Sequence, residues 1–266
     1  MDKVKLLENY NNKEDKILIS KLLDKIEISQ KRNIIQITDF INKIQLQILL
    51  NILKTIKFKR YILFGGREEY DRCVIIIYPP KLDEMVLTDN LNYNSICNCV
   101  RIKNMSEEYE HKVYLSALMK LGIKREKIGD IIVSENTAYI IVHKDISEFI
   151  VLNAKDLTRF KNSEITIIDI KNIIKKNQEF KELEIIVSSS RLDNFISSLI
   201  NVSRNNAISL INKEKVFLNY KVELKNTKLV KENDILVIRG HGKFVILGNI
   251  GNTKSGKYVI KVKKYI

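Results

Sequence analysis

The sequence predicts an α+β protein of several domains, and three observations support this prediction. The chain has 266 residues, of which 45% are hydrophobic, so it is long enough to form more than one core. Its first part has helical hydrophobic spacing, and its middle alternates short strands with helices. Its last part places two helices before several strands. We therefore expect three domains, at residues 1–79, 80–182 and 187–266.

The first domain is predicted to be a helix-rich αβ region. Apolar residues recur at helical spacing in its first half. These residues are Ile19, Leu22, Leu23 and Ile26. Thr38 or Asp39 is expected to cap a second helix. The apolar stripe expected on this second helix consists of Phe40, Ile44 and Ile48. The two strands expected after it lie near residues 60–64 and 73–78, with Gly65-Gly66 between them.

The second domain is predicted to begin at Pro79-Pro80, the only prolines of the chain. Proline is excluded from helix interiors and central strands, so this pair indicates a boundary. The elements expected after it are a strand at 95–102, a helix at 109–121, strands at 128–133 and 138–142, a helix at 144–153 and a strand at 164–168. This β-α-β-β-α-β order is typical of a ferredoxin-like, RRM-like α+β sandwich.

Positive charge is concentrated in the last domain. The chain carries a formal net charge of +14 and has a pI near 9.5, which favours a polyanionic partner such as nucleic acid or an anionic membrane. Because Lys is abundant throughout, the position of the charge says more than its total. Residues 187–266 hold 15 Lys and Arg against 5 Asp and Glu, a net +10. This localised charge predicts a polyanion site there.

Several classes of protein are not expected. No apolar run approaches the roughly 18–20 residues of a membrane span, and the N-terminus has no apolar signal segment. Three cysteines without a disulfide framework fit a reducing cytoplasm. Cys97 and Cys99 form a C-x-C pair, but the histidines are not spaced to complete a zinc set, so we expect two small residues on opposite faces of a strand. The chain is thus predicted to be cytoplasmic, with no metal, cofactor or membrane partner.

Two arginines stand at the predicted starts of the C-terminal helices. The apolar stripe of the first helix consists of Leu192, Phe195, Ile196 and Leu199. Ser203 is a good N-cap for the second helix, which Arg204 opens, while Arg191 precedes the first. A cation there opposes the helix dipole at a cost of about 0.3–1 kcal/mol, whereas an external phosphate would favour it. The alternative is that the arginines pair with a carboxylate such as Asp193.

Two further basic segments are candidates for phosphate contacts. Arg239 and Lys243 flank a turn bracketed by two glycines, which would let the backbone approach phosphate; an ordinary hairpin is the alternative. A second basic loop follows the first helix of the middle domain, and a solvated loop is its alternative. The basic residues of this loop are Lys124, Arg125 and Lys127.

The C-terminal segment resembles the RNA-binding domain named after ribosomal protein S-four. The matching positions are Arg191-Leu192-Asp193, Ser203-Arg204, Ala207, Leu210-Ile211, Val216, Asn219 and Asp234-Ile235. The resemblance implies a two-helix face that docks structured RNA through Arg191, Ser203 and Arg204. The remaining candidate RNA-binding residues are Lys213, Lys215, Asn219, Lys221, Arg239, Lys243, Lys124, Arg125 and Lys127. The family usually has glycine at the positions of Glu214 and Tyr220, so a left-handed backbone is expected there at a cost of about 1 kcal/mol each.

Two motifs of the earlier part resemble the YlmH family. The first is Phe64-Gly65-Gly66 followed by Glu69 and Arg72, and the second is the nearly continuous string from His111 to Ile131. The resemblance implies a non-enzymatic RNA-binding protein that acts on structured ribosomal RNA. It further implies a ribosome-associated quality-control factor on the large subunit, with a subunit that bears a stalled peptidyl-tRNA as one candidate target. The protein is expected to be a monomer.

Two other functions remain open at this stage. One is an RNA-modifying enzyme of the pseudouridine-synthase kind that uses the S-four-like domain for targeting, with Asp130 as the conceivable catalytic aspartate. The sequence lacks the usual nucleotide-binding, zinc-protease and hydrolase motifs, and a turn role for Asp130 is favoured. The other is a general anion-binding or membrane-surface protein. A deep polar pocket in the middle domain would favour an enzyme, and a flat basic face would favour a binding protein.

Overall fold

The computed structural model describes residues 3–67, 70–82, 93–105, 107–173 and 180–265, without the side chains of residues 4 and 5. The chain divides into two compact units, residues 1–176 and 177–266. Both units combine helices with sheets, so the predicted α+β class is confirmed. Within the described ranges, no helix has the length and apolar character required to span a membrane.

The first unit contains five helices within its described part. They are α1 (Lys3–Glu8), α2 (Lys13–Arg32), α3 (Lys43–Thr55), α4 (His111–Lys120) and α5 (Lys144–Asn153). The predicted start of the second helix was wrong. Asn42 caps α3 and forms a capping box with Gln45, whereas the Thr38 hydroxyl accepts a hydrogen bond from the Ile75 backbone N–H at 2.8 Å. Phe40 therefore lies ahead of the helix, in the core.

The strands of the first unit form two sheets. They are β1 (Gln36–Ile37), β2 (Ile41–Asn42), β3 (Tyr61–Phe64), β4 (Arg72–Ile77), β5 (Cys97–Lys103), β6 (Ile128–Ser134), β7 (Thr137–His143) and β8 (Glu164–Ile168). In the first sheet, β1, β2 and β3 all pair with β4. The second is antiparallel with the order β6-β7-β5-β8, and α4 and α5 connect its strands. This is the ferredoxin-like arrangement predicted for the middle domain.

The two sheets of the first unit share a core, so Pro79-Pro80 is not a boundary between compact units. Val74 and Ile76 of β4 pack in one cluster with Tyr139 and Ile141 of β7. Cys97 and Cys99 belong to the same cluster, which corrects their predicted placement on opposite faces. Residues i and i+2 of a strand share a face. Burial raises the pKa of each of these two thiols to about 12.

The YlmH-like motif residues join the two sheets. A Cβ at Gly65 would lie 2.2 Å from the Tyr70 ring, and one at Gly66, where φ is +81°, would lie 2.7 Å from Ile141. The Arg72 guanidinium donates to the carbonyl oxygens of Phe40 at 2.7 Å and Ile128 at 3.0 Å. These contacts are structural, and they explain why the predicted domains at 1–79 and 80–182 form one compact unit. Glu69 lies outside the described residues.

The second unit packs two helices on a six-stranded antiparallel sheet. The helices are α6 (Leu192–Ile200) and α7 (Arg204–Asn212). The strands are β9 (Phe180–Val187), β10 (Val216–Leu218), β11 (Lys221–Val222), β12 (Ile235–Ile238), β13 (Gly242–Asn252) and β14 (Tyr258–Tyr265). Their order is β11-β10-β12-β13-β14-β9. The edge strand β9 was not predicted, and its pairing with β14 along eight residues extends this unit ahead of residue 187.

The left-handed positions expected from the S-four resemblance are present. Glu214 has φ +55° and Tyr220 has φ +62°. Glu214 follows α7, and its backbone N–H bonds to the Ile211 carbonyl at 3.0 Å while the Lys215 N–H bonds to the Leu210 carbonyl at 3.0 Å. This is a Schellman motif, in which glycine is the preferred residue.

We expect Glu214→Gly to raise the free energy of unfolding of the second unit by about 1 kcal/mol, because the Cβ that disfavours the left-handed backbone is removed. Equilibrium urea denaturation measures the change. Glu214→Gln is the matched control, since it removes the charge and keeps the Cβ. An equal gain in both variants would assign the effect to charge and contradict the backbone explanation.

Candidate nucleic-acid interface

A single buried carboxylate holds the two predicted arginines together. Asp193 lies in the first turn of α6 and is fully buried. It accepts hydrogen bonds from Arg191 Nε at 3.1 Å, Arg191 Nη2 at 2.8 Å and Arg204 Nε at 3.0 Å. The backbone N–H of Asn194 donates to the same carboxylate at 3.0 Å. The two arginines therefore converge, although they belong to the starts of different helices.

This pairing corrects the expectation that both arginines are held only for an external phosphate. A cation at a helix N-terminus is unfavourable, and a carboxylate in the first turn offsets it. Burial acts to raise the pKa of Asp193, but the hydrogen bonds from Arg191 and Arg204 outweigh burial and hold that pKa below its usual range. The alternative considered for the arginines, pairing with Asp193, is thus what the structure shows.

After the arginines pair with Asp193, net positive charge and unused hydrogen-bond donors remain. One carboxylate balances one of two guanidinium charges. The Arg204 side chain is 51% exposed and that of Arg191 is 33% exposed. Within the described ranges the hydrogen bond of Arg204 is made through Nε, so the donors of its two terminal nitrogens remain for another partner. Ser203 is exposed and caps α7 by accepting from the Asn206 N–H at 3.2 Å.

Other predicted contacts of the second unit fall into two groups. Lys213, Lys215 and Lys221 are exposed, the first two just after α7 and the third in β11. Asn219 instead has a structural role, because its side chain donates to Asp234 at 2.8 Å and accepts from the Ile235 N–H at 2.9 Å. Both ends of its amide are thus engaged, which argues against the predicted RNA contact.

The glycine-bracketed turn forms as expected, but its basic side chains lie over aromatic rings. Gly240 has φ +85° and Gly242 has φ +122°. The Arg239 guanidinium lies 4.9 Å from the centroid of the Phe217 ring. Lys243 Nζ lies 4.4 Å from the centroid of the Tyr265 ring. Such cation–π contacts are worth about 0.5–1 kcal/mol at exposed sites.

The basic loop of the first unit is mostly committed to internal contacts. Arg125 donates from Nη1 to the Ile128 carbonyl at 2.6 Å, and burial lowers its pKa. Lys127 Nζ lies 3.1 Å from Asp145 and 3.4 Å from Asp39. Arg125 and Lys127 lie in a single-turn 3-10 helix, and Lys124 precedes it. Of these three residues, only Lys124 is exposed. The structure does not bring this loop together as a cationic phosphate site.

Asp130 does not lie in a turn as predicted but inside strand β6, where it holds the backbone at the start of β4. Its carboxylate accepts hydrogen bonds from the backbone N–H groups of Asp71 and Arg72, each at 2.9 Å, and burial raises its pKa.

A depression of about 430 Å³ lies at the start of α5 beside His143. Burial and then the nearby Lys127 lower the pKa of this histidine. No group of three or more metal-ligating side chains occurs among the described residues.

Comparison with known proteins identifies the class of the middle domain. Residues 96–172 match the family described as "Putative RNA-binding domain in YlmH". This range spans β5 to the 3-10 turn after β8, the whole ferredoxin-like sandwich.

Comparison of the whole chain gives a similar result. It is 26% identical over 254 residues to the "Ribosome-associated protein quality control protein P2" of Bacillus subtilis (strain 168), covering 95% of this chain and 96% of that protein. A solved structure, "Cell division protein ylmH from Streptococcus pneumoniae", covers 62% of this chain and 98% of its own, with a TM-score of 0.49 and 19% identity. The chain resembles the YlmH family, as its motifs predicted. The S-four resemblance of the last unit stays a prediction.

Proposed function

We propose that this protein is a non-catalytic RNA-binding factor that associates with the ribosome in the cytoplasm. The family description of residues 96–172 and the name of the B. subtilis relative support this assignment. The finer part of the proposal is that residues 187–266 contact structured ribosomal RNA of the large subunit, with a subunit that carries a stalled peptidyl-tRNA as one candidate target. The concentration of basic charge in residues 187–266 supports that part.

The observation on which the proposal rests is the convergence of Arg191 and Arg204 on Asp193. Arg191 Nη2 and Arg204 Nε approach the same carboxylate oxygen at 2.8 and 3.0 Å, so these two nitrogens lie within about 6 Å of each other. Paired guanidinium groups are well suited to phosphate oxygens, because each presents several donors in a fixed plane. The buried carboxylate positions the pair before RNA arrives.

The mechanism that follows is electrostatic positioning. The arginine pair and the exposed lysines near α7 neutralise backbone phosphates and release counterions, so binding should weaken steeply with salt. Phosphate contacts carry no base information, and folded RNA is recognised largely by shape. The rigid spacing of the two helix starts then selects RNA whose phosphates match it.

The test is Arg204→Ala, measured as binding of the full-length protein to purified large ribosomal subunits by co-sedimentation over a salt series. We expect a loss of about 1–3 kcal/mol, roughly fivefold to 150-fold in affinity, because charge-assisted hydrogen bonds are removed. The plot of log affinity against log salt should become less steep by about one unit, because about one phosphate contact is lost.

Lys254→Ala is the matched control, because Lys254 is exposed in the turn between β13 and β14 and the change removes the same charge. We expect it to change affinity less than twofold at physiological salt. Equal losses in the two variants would show that net charge alone matters and would contradict the proposed site.

A further inference from the structure

The sheet of the second unit has a face that its helices do not cover. Alternate residues of the strands pack with α6 and α7 in one core; examples are Ile185, Ile260 and Phe244. The intervening residues lie on the opposite face, since strand side chains alternate. We call this second surface the open face.

A row of side chains crosses the open face from one edge of the sheet to the other. Direct cross-strand partners place Val222 beside Phe217, Phe217 beside Val237, and Val237 beside Lys243. Tyr265 and Phe180 are direct partners on β14 and β9. Lys243 joins the two parts, because its Nζ lies 4.4 Å from the centroid of the Tyr265 ring. With strands about 4.8 Å apart, the row is roughly 24 Å long.

Basic side chains within and beside this row lie over its aromatic rings. The Arg239 guanidinium lies 4.9 Å from the centroid of the Phe217 ring, which is buried, and Lys263 Nζ lies 4.2 Å from the centroid of the Phe180 ring. Phe180 is 45% exposed. The acidic residues of the open face, Glu182 and Glu184, lie on the edge strand β9, and Glu182 pairs with Lys261 at 2.7 Å.

We propose that this aromatic–basic row is a binding surface for single-stranded RNA, separate from the arginine pair. Rings that lie on a sheet can stack on unpaired bases, and basic side chains between them can reach the phosphates. In the free protein Lys263 lies over Phe180 and Lys243 over Tyr265. On binding, each lysine exchanges the ring face for a phosphate, and a base takes its place. Phe217 is buried, so the two stacking platforms of the row are Phe180 and Tyr265. A duplex would offer its phosphates but no base faces, so the row favours unpaired strands.

The proposal rests on the proposed function in that its ligand is RNA. It deepens that function by naming a second class of RNA structure and a second surface. The charge and the rings together favour RNA over an acidic peptide, which would use the lysines and leave the rings without stacking partners.

The first test uses the full-length protein and a fluorescein-labelled ten-nucleotide oligouridylate, with binding measured by anisotropy at low salt. The double variant Phe180→Ala, Tyr265→Ala should bind at least tenfold more weakly, because two stacking platforms are lost. Tyr258→Ala is the matched control: Tyr258 is a 39% exposed tyrosine on the same strand as Tyr265, on the opposite face. It should change affinity less than twofold, and equal losses in the two variants would overturn the proposal.

A second test does not require the protein to fold with two alanine substitutions. The chain has no tryptophan, so Phe180→Trp and Tyr258→Trp each introduce a single reporter. Saturating oligouridylate should quench the emission of the first and leave the second unchanged. Unchanged emission of Phe180→Trp, or quenching by an oligoglutamate peptide in place of the oligonucleotide, would overturn the proposal.

The two proposals fail in different ways. If large subunits bind with the expected dependence on Arg204 while oligouridylate does not engage the row, only this inference is wrong. If oligouridylate engages the row while subunit binding does not depend on Arg204, only the proposed contact at the arginine pair is wrong.

Discussion

Replacing Asp193 by alanine is expected to lower the free energy of unfolding of the second unit by about 3 kcal/mol. Removing one partner of a buried ion pair costs about 3–5 kcal/mol when the remaining charge is buried. Here the remaining guanidinium groups are partly exposed, which places the effect at the lower end. Thermal denaturation and amide hydrogen exchange of α6 measure the change. Asp193→Asn, which keeps the volume and one acceptor oxygen, should lose less.

The same variant separates positioning from total charge in RNA binding. Asp193→Ala makes the protein more positive by one unit, so a purely electrostatic site would bind large subunits more tightly. A site that depends on the spacing of the two arginines should bind them more weakly, because Arg191 and Arg204 lose the group that orients them. Tighter binding by this variant would contradict the proposed role of the carboxylate.

Lowering the pH should reproduce part of the destabilisation expected for Asp193→Ala. Because the arginines hold the pKa of Asp193 below its usual value, the carboxylate stabilises the fold at every pH above about 3.9, the value for an unfolded chain. This stabilisation is lost as the pH falls through the lowered pKa of the folded state. The free energy of unfolding of Asp193→Asn should therefore depend less on pH in that acidic range than that of the natural protein.

Local signals in the sequence predicted much of the second unit. Apolar spacing located both helices, and the glycine pattern of the resembled family located the left-handed residues Glu214 and Tyr220. Asp193, two positions after Arg191, was the alternative partner visible from the sequence. The edge strand β9 was missed because its partner β14 lies more than 70 residues later, and charged residues interrupt its apolar pattern.

Long-range partners account for the errors in the first unit. Lys127 looked like a solvent-facing cation, but its partners Asp39 and Asp145 are distant in sequence. Thr38 looked like a helix cap, but its hydroxyl is used by the backbone of Ile75. The proline pair suggested a boundary because nothing local reveals that β4 and β7 share a core. Charge and capping patterns identify candidates, and tertiary packing decides among them.

The partly buried Arg72 makes the most consequential of these long-range contacts, and Arg72→Ala should lower the free energy of unfolding of the first unit by about 3–5 kcal/mol. Its guanidinium donates to the carbonyl oxygens of Phe40, Ile128 and, at 3.4 Å, Arg125. Hydrogen bonds from a charged group contribute about 1.5–3 kcal/mol each, and the alanine variant leaves these carbonyls without their donor. Burial lowers the pKa of Arg72 to about 10, so the side chain stays charged at neutral pH.

Urea denaturation of the full-length protein, followed by circular dichroism, measures this loss. Arg72→Lys keeps a positive charge but cannot reproduce the planar fork that reaches several carbonyls, so its loss should be intermediate. Arg159→Ala removes an exposed arginine from the same unit and should change stability by less than about 0.5 kcal/mol. If Arg72→Ala lost no more than Arg159→Ala, the guanidinium would have no part in joining the two sheets.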